Sequence, residues 1–316
     1  MKYLPHILLT FSFFVVFYLL FFPEHKTALG EGVYEEVKPI VLSKNGFRTI
    51  EPKWKRLSRV REISDPSFGV VLGDIESHLP NGHHYGDSNK ITWAHESSHG
   101  INARLRNDVA TMEGYNGFYV LQDRSIIMKE PEISIRDIAA VVPEVLRGPS
   151  FDLYLIEQAT IWNDRPLYLV DEWVAYTNGS EAGRELNIRG WYYELLQAYN
   201  FNVYCMYLAM VVQRDCSDYR DAELKQFIMW NTERVFKLTI DSDRKIEDSG
   251  LGKAKTIKAS SFHICPHQLL PDGYSNSLDM VVQYIEKIKA VPEAEKLRRF
   301  AKKYFGEEWC RQLYGF

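Results

Sequence analysis

Two histidines four residues apart, with a glutamate beside the first, stand in the string Thr92-Trp93-Ala94-His95-Glu96-Ser97-Ser98-His99-Gly100-Ile101. On a helix, residues four apart share a face. His95 and His99 can therefore turn ring nitrogens toward one metal ion. Glu96 follows His95 by about 100° of helical turn. Its carboxylate can reach a water on that metal, taking a proton as general base and passing it to the leaving group. Two imidazoles and a carboxylate, with a fourth position left open, form a donor set for zinc. One Zn2+ per chain is the cofactor this pattern implies. A chance HExxH in a chain of this composition has a probability of roughly 1–2%. The flanks strengthen the signal: Thr92 to Ala94, Ser97, Ser98, Gly100 and Ile101 are all uncharged, as ligands packed away from water require.

The ten-residue string resembles the extended zincin metallopeptidase signature at every position. That resemblance implies a zincin-like α+β fold, with a small β-sheet next to the active-site helix and a mostly helical C-terminal half. It also implies a peptide or protein substrate. The metzincin extension is absent, because Asn102 stands at the expected glycine and Leu105 at the last histidine. Gluzincins take a glutamate from a later helix. Glu172, 73 residues after His99, sits in Leu169-Val170-Asp171-Glu172-Trp173-Val174-Ala175-Tyr176, and its ExxAY pattern looks like the third-ligand helix of several gluzincin families. Glu157, Glu144 and Glu181 are rival third ligands. His263 and His267 are also four apart, but Pro266 argues against a regular helix there. In the thermolysin pattern an acid one turn after the ligand supports a zinc histidine. Tyr176 holds that place here, which leaves Asp171 or Asp152 for the task. Some gluzincins carry an oxyanion-stabilising tyrosine two turns before the ligand glutamate. Arg165 stands at that position, so Tyr115, Tyr168, Tyr176 and His263 are the candidates.

The elements that must position these residues are partly legible. A helix over 89–107, capped by Asp87 or Ser88, would pack Ile91, Ala94, Ser98, Ile101 and Leu105 on one side. Phe68 to Gly73 reads as a short buried strand. His78, His83 and His84 read as part of a solvated loop, with a cleft wall or a second, weak metal site as the sharper alternatives. Phe118–Leu121 and Ser125–Met128 flank Gln122-Asp123-Arg124 as a hairpin, whose edge could take an extended peptide by β-addition. Periodicity predicts helices over 134–146, 150–162, 167–186, 190–214, 220–238, 275–290 and 293–304, and a long loop over 241–273. Asn178-Gly179-Ser180 matches a glycosylation acceptor, but its place on a packed helix makes the match a coincidence.

The organisation follows. Leu4 to Phe22 is a 19-residue apolar run broken only by Pro5, His6, Thr10 and Ser12, long enough to span about 28 Å as a helix. Residues 1–30 are thus a signal peptide or a signal-anchor segment, with the length fitting an uncleaved anchor better. Either reading places the rest outside the cytoplasm, secreted or held at the membrane through residues 4–22. Residues 31–66 form a lead-in whose basic positions Lys53, Lys55, Arg56, Arg59 and Arg61 make a solvated surface or one facing anionic lipid. Residues 67–316 form the catalytic body. A formal charge of −4 and a pI near 6.2 give no support for a nucleic-acid partner. Four cysteines allow three pairings. Cys205 and Cys216 are too far apart on one helix to bridge, and Cys265 with Cys310 is the preferred bridge, against the alternative of buried thiols. Two rival functions stand beside a metallopeptidase: a metal-binding or scaffold protein without catalysis, and a zinc hydrolase of a non-peptide, cell-wall type amide.

Overall fold

The structure, a computed structural model, describes residues 51–65, 67–109, 114–188, 190–220, 222–248 and 284–316. The apolar run 4–22, His263, Cys265 and His267 lie outside them. In chain order the elements are β1 (Lys55–Arg56), α1 (Val70–His78), α2 (Lys90–Val109), β2 (Tyr115–Tyr119), β3 (Arg124–Lys129), α3 (Ile135–Val141), α4 (Ala159–Trp162), α5 (Tyr168–Glu185), α6 (Trp191–Asp215), α7 (Ala222–Asp248), α8 (284–290), α9 (Glu295–Phe305) and α10 (Glu307–Tyr314). The fold is α+β and mostly helical. Its antiparallel sheet has three strands in the order β1-β3-β2.

The sheet divides the core in two. Side chains alternate across a strand, and here the alternation sorts them cleanly. Phe118, Val120, Ile126 and Met128 face the large helical core, whereas Tyr119, Leu121 and Ile127 face a smaller cluster with α1 and α2. Helix α2 lies against β2, and a Cβ on Gly117 would stand 2.5 Å from that of Leu105. Only a glycine allows this approach. The hairpin turns through Leu121, Gln122 and Asp123, all left-handed with φ of 70°, 58° and 58°. Conformations of that kind cost non-glycine residues energy. The turn is held by Asp74, whose Oδ2 accepts the Gln122 amide at 2.7 Å, and by Arg59 on Asp123 at 3.0 Å.

Several expected elements are corrected. Phe68 to Gly73 is not a strand. Val70–His78 is a helix that buries Leu72, Ile75 and Leu79 and leaves Val70 80% exposed, and Glu185 closes its N-terminus by accepting from the Val70 and Val71 amides. The cap of α2 is Asn89, whose Oδ1 accepts the Ile91 amide at 3.0 Å, rather than Asp87 or Ser88. The helix expected over 134–146 ends at Val141, because the residue before Pro143 is forced out of the helical region, and a 3-10 turn, Glu144–Leu146, follows. The 150–162 segment is a π-helical turn, Asp152–Glu157, leading into α4. Residues 241–248, expected as loop, continue α7. A C-terminal helix that periodicity missed, α10, is present. The lead-in contributes directly: β1 pairs with β3, and Trp54 and Leu57 are buried.

Two helices at the centre carry the most weight. From Tyr168 to Ser180 every residue of α5 is buried. Helix α6 is long and apolar enough to cross a membrane, but it is packed within the core. The two meet at Gly183, where a Cβ would lie 2.5 Å from that of Trp191. Cys205, Cys216 and Cys310 are free thiols, and the partner proposed for Cys310 lies outside the described residues.

Glu130, just past β3, ties the sheet to the start of α5. Its carboxylate accepts from Asn116 Nδ2 at 2.7 Å and from the Leu167 amide at 3.0 Å. Burial pushes this carboxyl up to about 7, against those hydrogen bonds and the charges of Arg165 and Arg106. A folded carboxyl that keeps its proton to higher pH than the unfolded one stabilises fully below the unfolded value, and that contribution is lost as pH rises through the folded value. The urea midpoint of the parent should therefore fall, relative to Glu130→Gln, between about pH 4.5 and 7. Parallel pH profiles for the two proteins would refute the assignment.

Candidate metal centre

Helix α2 and helix α5 bring three side chains together. His95 Nε2 lies 3.1 Å from His99 Nε2, and Glu172 Oε2 lies 3.7 Å and 3.6 Å from the two. Tetrahedral bonds of ~2.0–2.1 Å set donor atoms about 3.3–3.4 Å apart, so the triangle has the size of one face of a zinc-type site. His95 and Glu172 are each 3% exposed, and His99 is half-buried, so the triangle opens on the His99 side.

The tautomers follow from the partners. His95 Nδ1 is 3.0 Å from Glu194 Oε2, and His99 Nδ1 is 2.9 Å from Asp171 Oδ1. A carboxylate only accepts, so both Nδ1 atoms carry the proton. Both Nε2 atoms then present lone pairs to each other and to Glu172. Glu172 Oε2 is buried and has no hydrogen-bond partner. With both rings neutral, three electron pairs face one another without a donor, an arrangement that fits a cation.

Charge points the same way. Asp171, Glu172 and Glu194 bring three carboxylates to the rings, and Arg106, 3.7 Å from Asp171, supplies one positive charge. The balance beside neutral imidazoles is negative, and Glu96 adds to it, which favours a cation. The same carboxylates also favour a second proton on the rings, which would compete with a cation for the Nε2 lone pairs. Burial disfavours a charged ring, yet Glu172 and Asp171 hold the His99 pKa well above its ordinary value. The charge of Glu194 and its hydrogen bond overcome burial in the same direction at His95.

The expected residues distribute as follows. His95, His99 and Glu172 come together, and Glu96 stands half-buried on the same helix, near enough for its charge to act on His95, Tyr85 and Tyr176. The rival ligands do not arrive: Glu157 and Glu144 are exposed, and Glu181 is paired with Arg234 at 2.7 Å. Asp171 supports His99 as expected, whereas Asp152 is exposed on the π-helical turn. Tyr168 is buried, with its hydroxyl on Gln158, and the charge of Glu172 helps burial hold its pKa well above the ordinary value. Tyr176 packs edge-on against His95 at 4.3 Å between ring centres, and its hydroxyl meets that of Tyr154 at 2.7 Å. Tyr115 opens β2 beside the smaller core, and Arg165 lies over Trp162. His78, expected in a solvated loop, is the fully buried last residue of α1. It groups with Asp74 and Asp123, but its Nδ1 is on the Asp74 carbonyl at 2.7 Å and its Nε2 on the Leu57 carbonyl at 3.1 Å, while Arg59 pairs with Asp123. That cluster is satisfied by the protein itself.

Three supporting residues were missed in the sequence. Glu194, in the first turn of α6, holds His95. Asn102 donates to Asp171 at 2.7 Å and accepts the Tyr119 amide at 2.7 Å, locking α2 to both α5 and the sheet. Asn178, fully buried, donates to Ser98 and to the Tyr119 carbonyl and accepts from Arg234, so its acceptor motif is indeed internal structure. A signal for Glu194 did exist. Gly179 and Gly183 lie four apart in a helix interior, the mark of a close crossing, and a Cβ on Gly179 would stand 2.9 Å from Glu194 Oε2.

No protein-family profile, curated protein or solved structure was found to match the chain. The functional reading therefore rests on the geometry of the site.

Removing a carboxylate that orients a metal-ligating imidazole typically lowers metal affinity about 10–100-fold. Glu194→Gln should weaken zinc binding by that factor in competition with a chromophoric chelator, and Gly179→Ala should do the same by displacing Glu194. Affinities within twofold of the parent in both variants would show that Glu194 does not orient His95.

Proposed function

We propose that this chain is a zinc-dependent metallopeptidase of the zincin type, gluzincin-like in taking its third ligand from a later helix. The observation that carries the reading is the convergence of His95 Nε2, His99 Nε2 and the partnerless Glu172 Oε2 within one triangle, with Glu96 beside it. Two imidazoles and one carboxylate suit zinc and leave a position open for substrate. A scaffold needs only the ligands, and the free carboxylate of Glu96 next to them argues for hydrolysis.

His95, His99 and Glu172 would hold the zinc ion, which would supply Lewis acidity when bound. Glu96 takes a proton from the attacking water and delivers it to the amide nitrogen as the C–N bond breaks. Asp171 and Glu194 hold the two rings in the tautomer that offers Nε2. The buried flank of Tyr154, Tyr168 and Tyr176 keeps water from the far side of Glu172. An exported protein, secreted or membrane-anchored through residues 4–22, is the setting in which we place this activity.

Elemental analysis of the full chain, purified in detergent without chelator, should find one zinc per chain, lost in His99→Ala and Glu172→Gln. Glu96→Gln should keep the zinc and lose about 10²–10⁴ in kcat on a quenched-fluorescent peptide library. A folded parent without metal would sink the proposal. Cleavage of cell-wall fragments in place of peptides would keep the zinc hydrolase and change its substrate.

A further inference from the structure

Of the five large apolar side chains that the described residues leave exposed, two stand together: Ile63 is 50% exposed and Val70 80%. A Cβ at Gly73 would lie 2.9 Å from Ile63 Cδ1. Gly73 is one turn beyond Val70 on α1, so Ile63 and Val70 sit on one edge of that helix. Just before α1, the half-buried ring of Phe68 packs 5.0 Å from that of Trp93 at the start of α2. Lys90 extends over Phe68, 5.2 Å from the ring centre, with its ammonium on Ser67 at 2.9 Å.

Positive charge continues the strip. The chain before α1 runs antiparallel along that helix, with the Val60 amide on the Ser77 carbonyl at 2.7 Å and the Ser64 amide on Glu76 at 2.9 Å. Arg59 Nη2 thereby lies 3.8 Å from Asp74, the neighbour of Gly73. Arg56 and Arg59 are each 59% exposed and share Asp123. Lys53, Lys55 and Arg61 add to them, so residues 53–70 carry five basic side chains against Glu62 and Asp65. An exposed apolar pair beside aromatic rings and cations is the chemistry of a bilayer interface. The apolar atoms leave water, the rings sit at headgroup level, and the cations meet lipid phosphates.

We propose that this face docks on a membrane surface that contains anionic lipid. Ile63 and Val70 enter the headgroup layer, and Arg56, Arg59 and Lys90 meet the phosphates. The inference rests on the reading of residues 4–22 as a membrane anchor and is independent of the peptidase. Residues 53–70 are the part of the described body nearest in sequence to that apolar run. A tether makes docking an intramolecular event, so contacts that are weak one by one suffice. The electrostatic share of the docking is screened by salt.

The test uses the full chain in vesicles whose acyl chains are brominated near the headgroup. Val70→Trp adds an indole at the most exposed apolar position of the face. Ile156→Trp adds one on the π-helical turn, at a position 51% exposed. In vesicles containing phosphatidylglycerol, the emission added at 70 should be quenched and blue-shifted, and the emission added at 156 should be unaffected. Arg56→Gln combined with Lys90→Gln, in the Val70→Trp chain, should lower the docked-to-undocked ratio about fivefold per charge removed. Flotation of the parent with neutral phosphatidylcholine vesicles at high salt reports residues 4–22 alone. A chain that does not float would overturn the anchor reading, and this inference with it. A chain that floats without quenching at 70, or with equal quenching at 70 and 156, would overturn the docking face and leave the anchor. A blue shift at 70 that appears in detergent and grows with protein concentration would put a second copy on the face and also overturn the inference.

Discussion

Burying two imidazoles among three carboxylates is the constraint on which the rest of the structure depends. Each carboxylate taken from water carries a desolvation penalty of several kcal/mol. Asp171 and Glu194 recover part of it from the ring N–H groups of His99 and His95, and Asp171 recovers more from Asn102 and Arg106. Glu172 Oε2 recovers nothing of that kind. An apolar isostere at position 172 would remove the penalty altogether. A glutamate kept there, facing two ring nitrogens, calls for positive charge at the centre of the triangle, which the proposed metal ion would supply.

The surrounding fold serves to keep these groups from moving apart. Metal ligands on two helices are useful only if the helices hold register to within a fraction of an ångström, since protein interiors transmit misfit rather than absorb it. Asn102 and Asn178 do this from opposite sides. Each bonds to α5 or a neighbour of it, and both reach the backbone of Tyr119 at the end of β2. Gly117 lets the strand approach α2, and Gly179 and Gly183 let α6 and α2 approach α5. The three-stranded sheet is therefore less a core of its own than a rigid stop against which α2 is set.

What the sequence could reveal follows the range of the interactions. His95, Glu96 and His99 sit within one helical turn, where spacing alone fixes geometry, and the helices around Glu172 and Cys205 are long and apolar enough for periodicity to place them. The hairpin announced itself through alternation. Phe68 to Gly73 misled because a run of Val, Leu and Gly has no readable period over six residues. The deciding contact there is Glu185, more than a hundred residues away. Glu194 was hidden for the same reason: an acid in the first turn of a helix has an ordinary explanation as a partner for the helix dipole, and only the crossing at Gly179 turns it toward His95. Among the supporting acids, Asp171 was legible because it adjoins the ligand, and Asp152 was set aside only by its exposure.

The spread of the site over three helices has a thermodynamic consequence. Ligands and their supports come from α2, α5 and α6, and no two of these helices are adjacent in the chain without an intervening segment or turn. The unfolded chain offers only the His95–His99 pair at close range, a weak bidentate site. If the proposed metal binds, nearly all of its binding free energy is available to the folded state alone and would add to stability as the metal concentration exceeds the dissociation constant. The helix that appears furthest from the chemistry by its apolar composition, α6, contributes through Glu194 to that coupling. Its burial and its charge in the first turn are two parts of one role, since the apolar body fixes the helix in the core and the single carboxylate at its start is thereby fixed on His95.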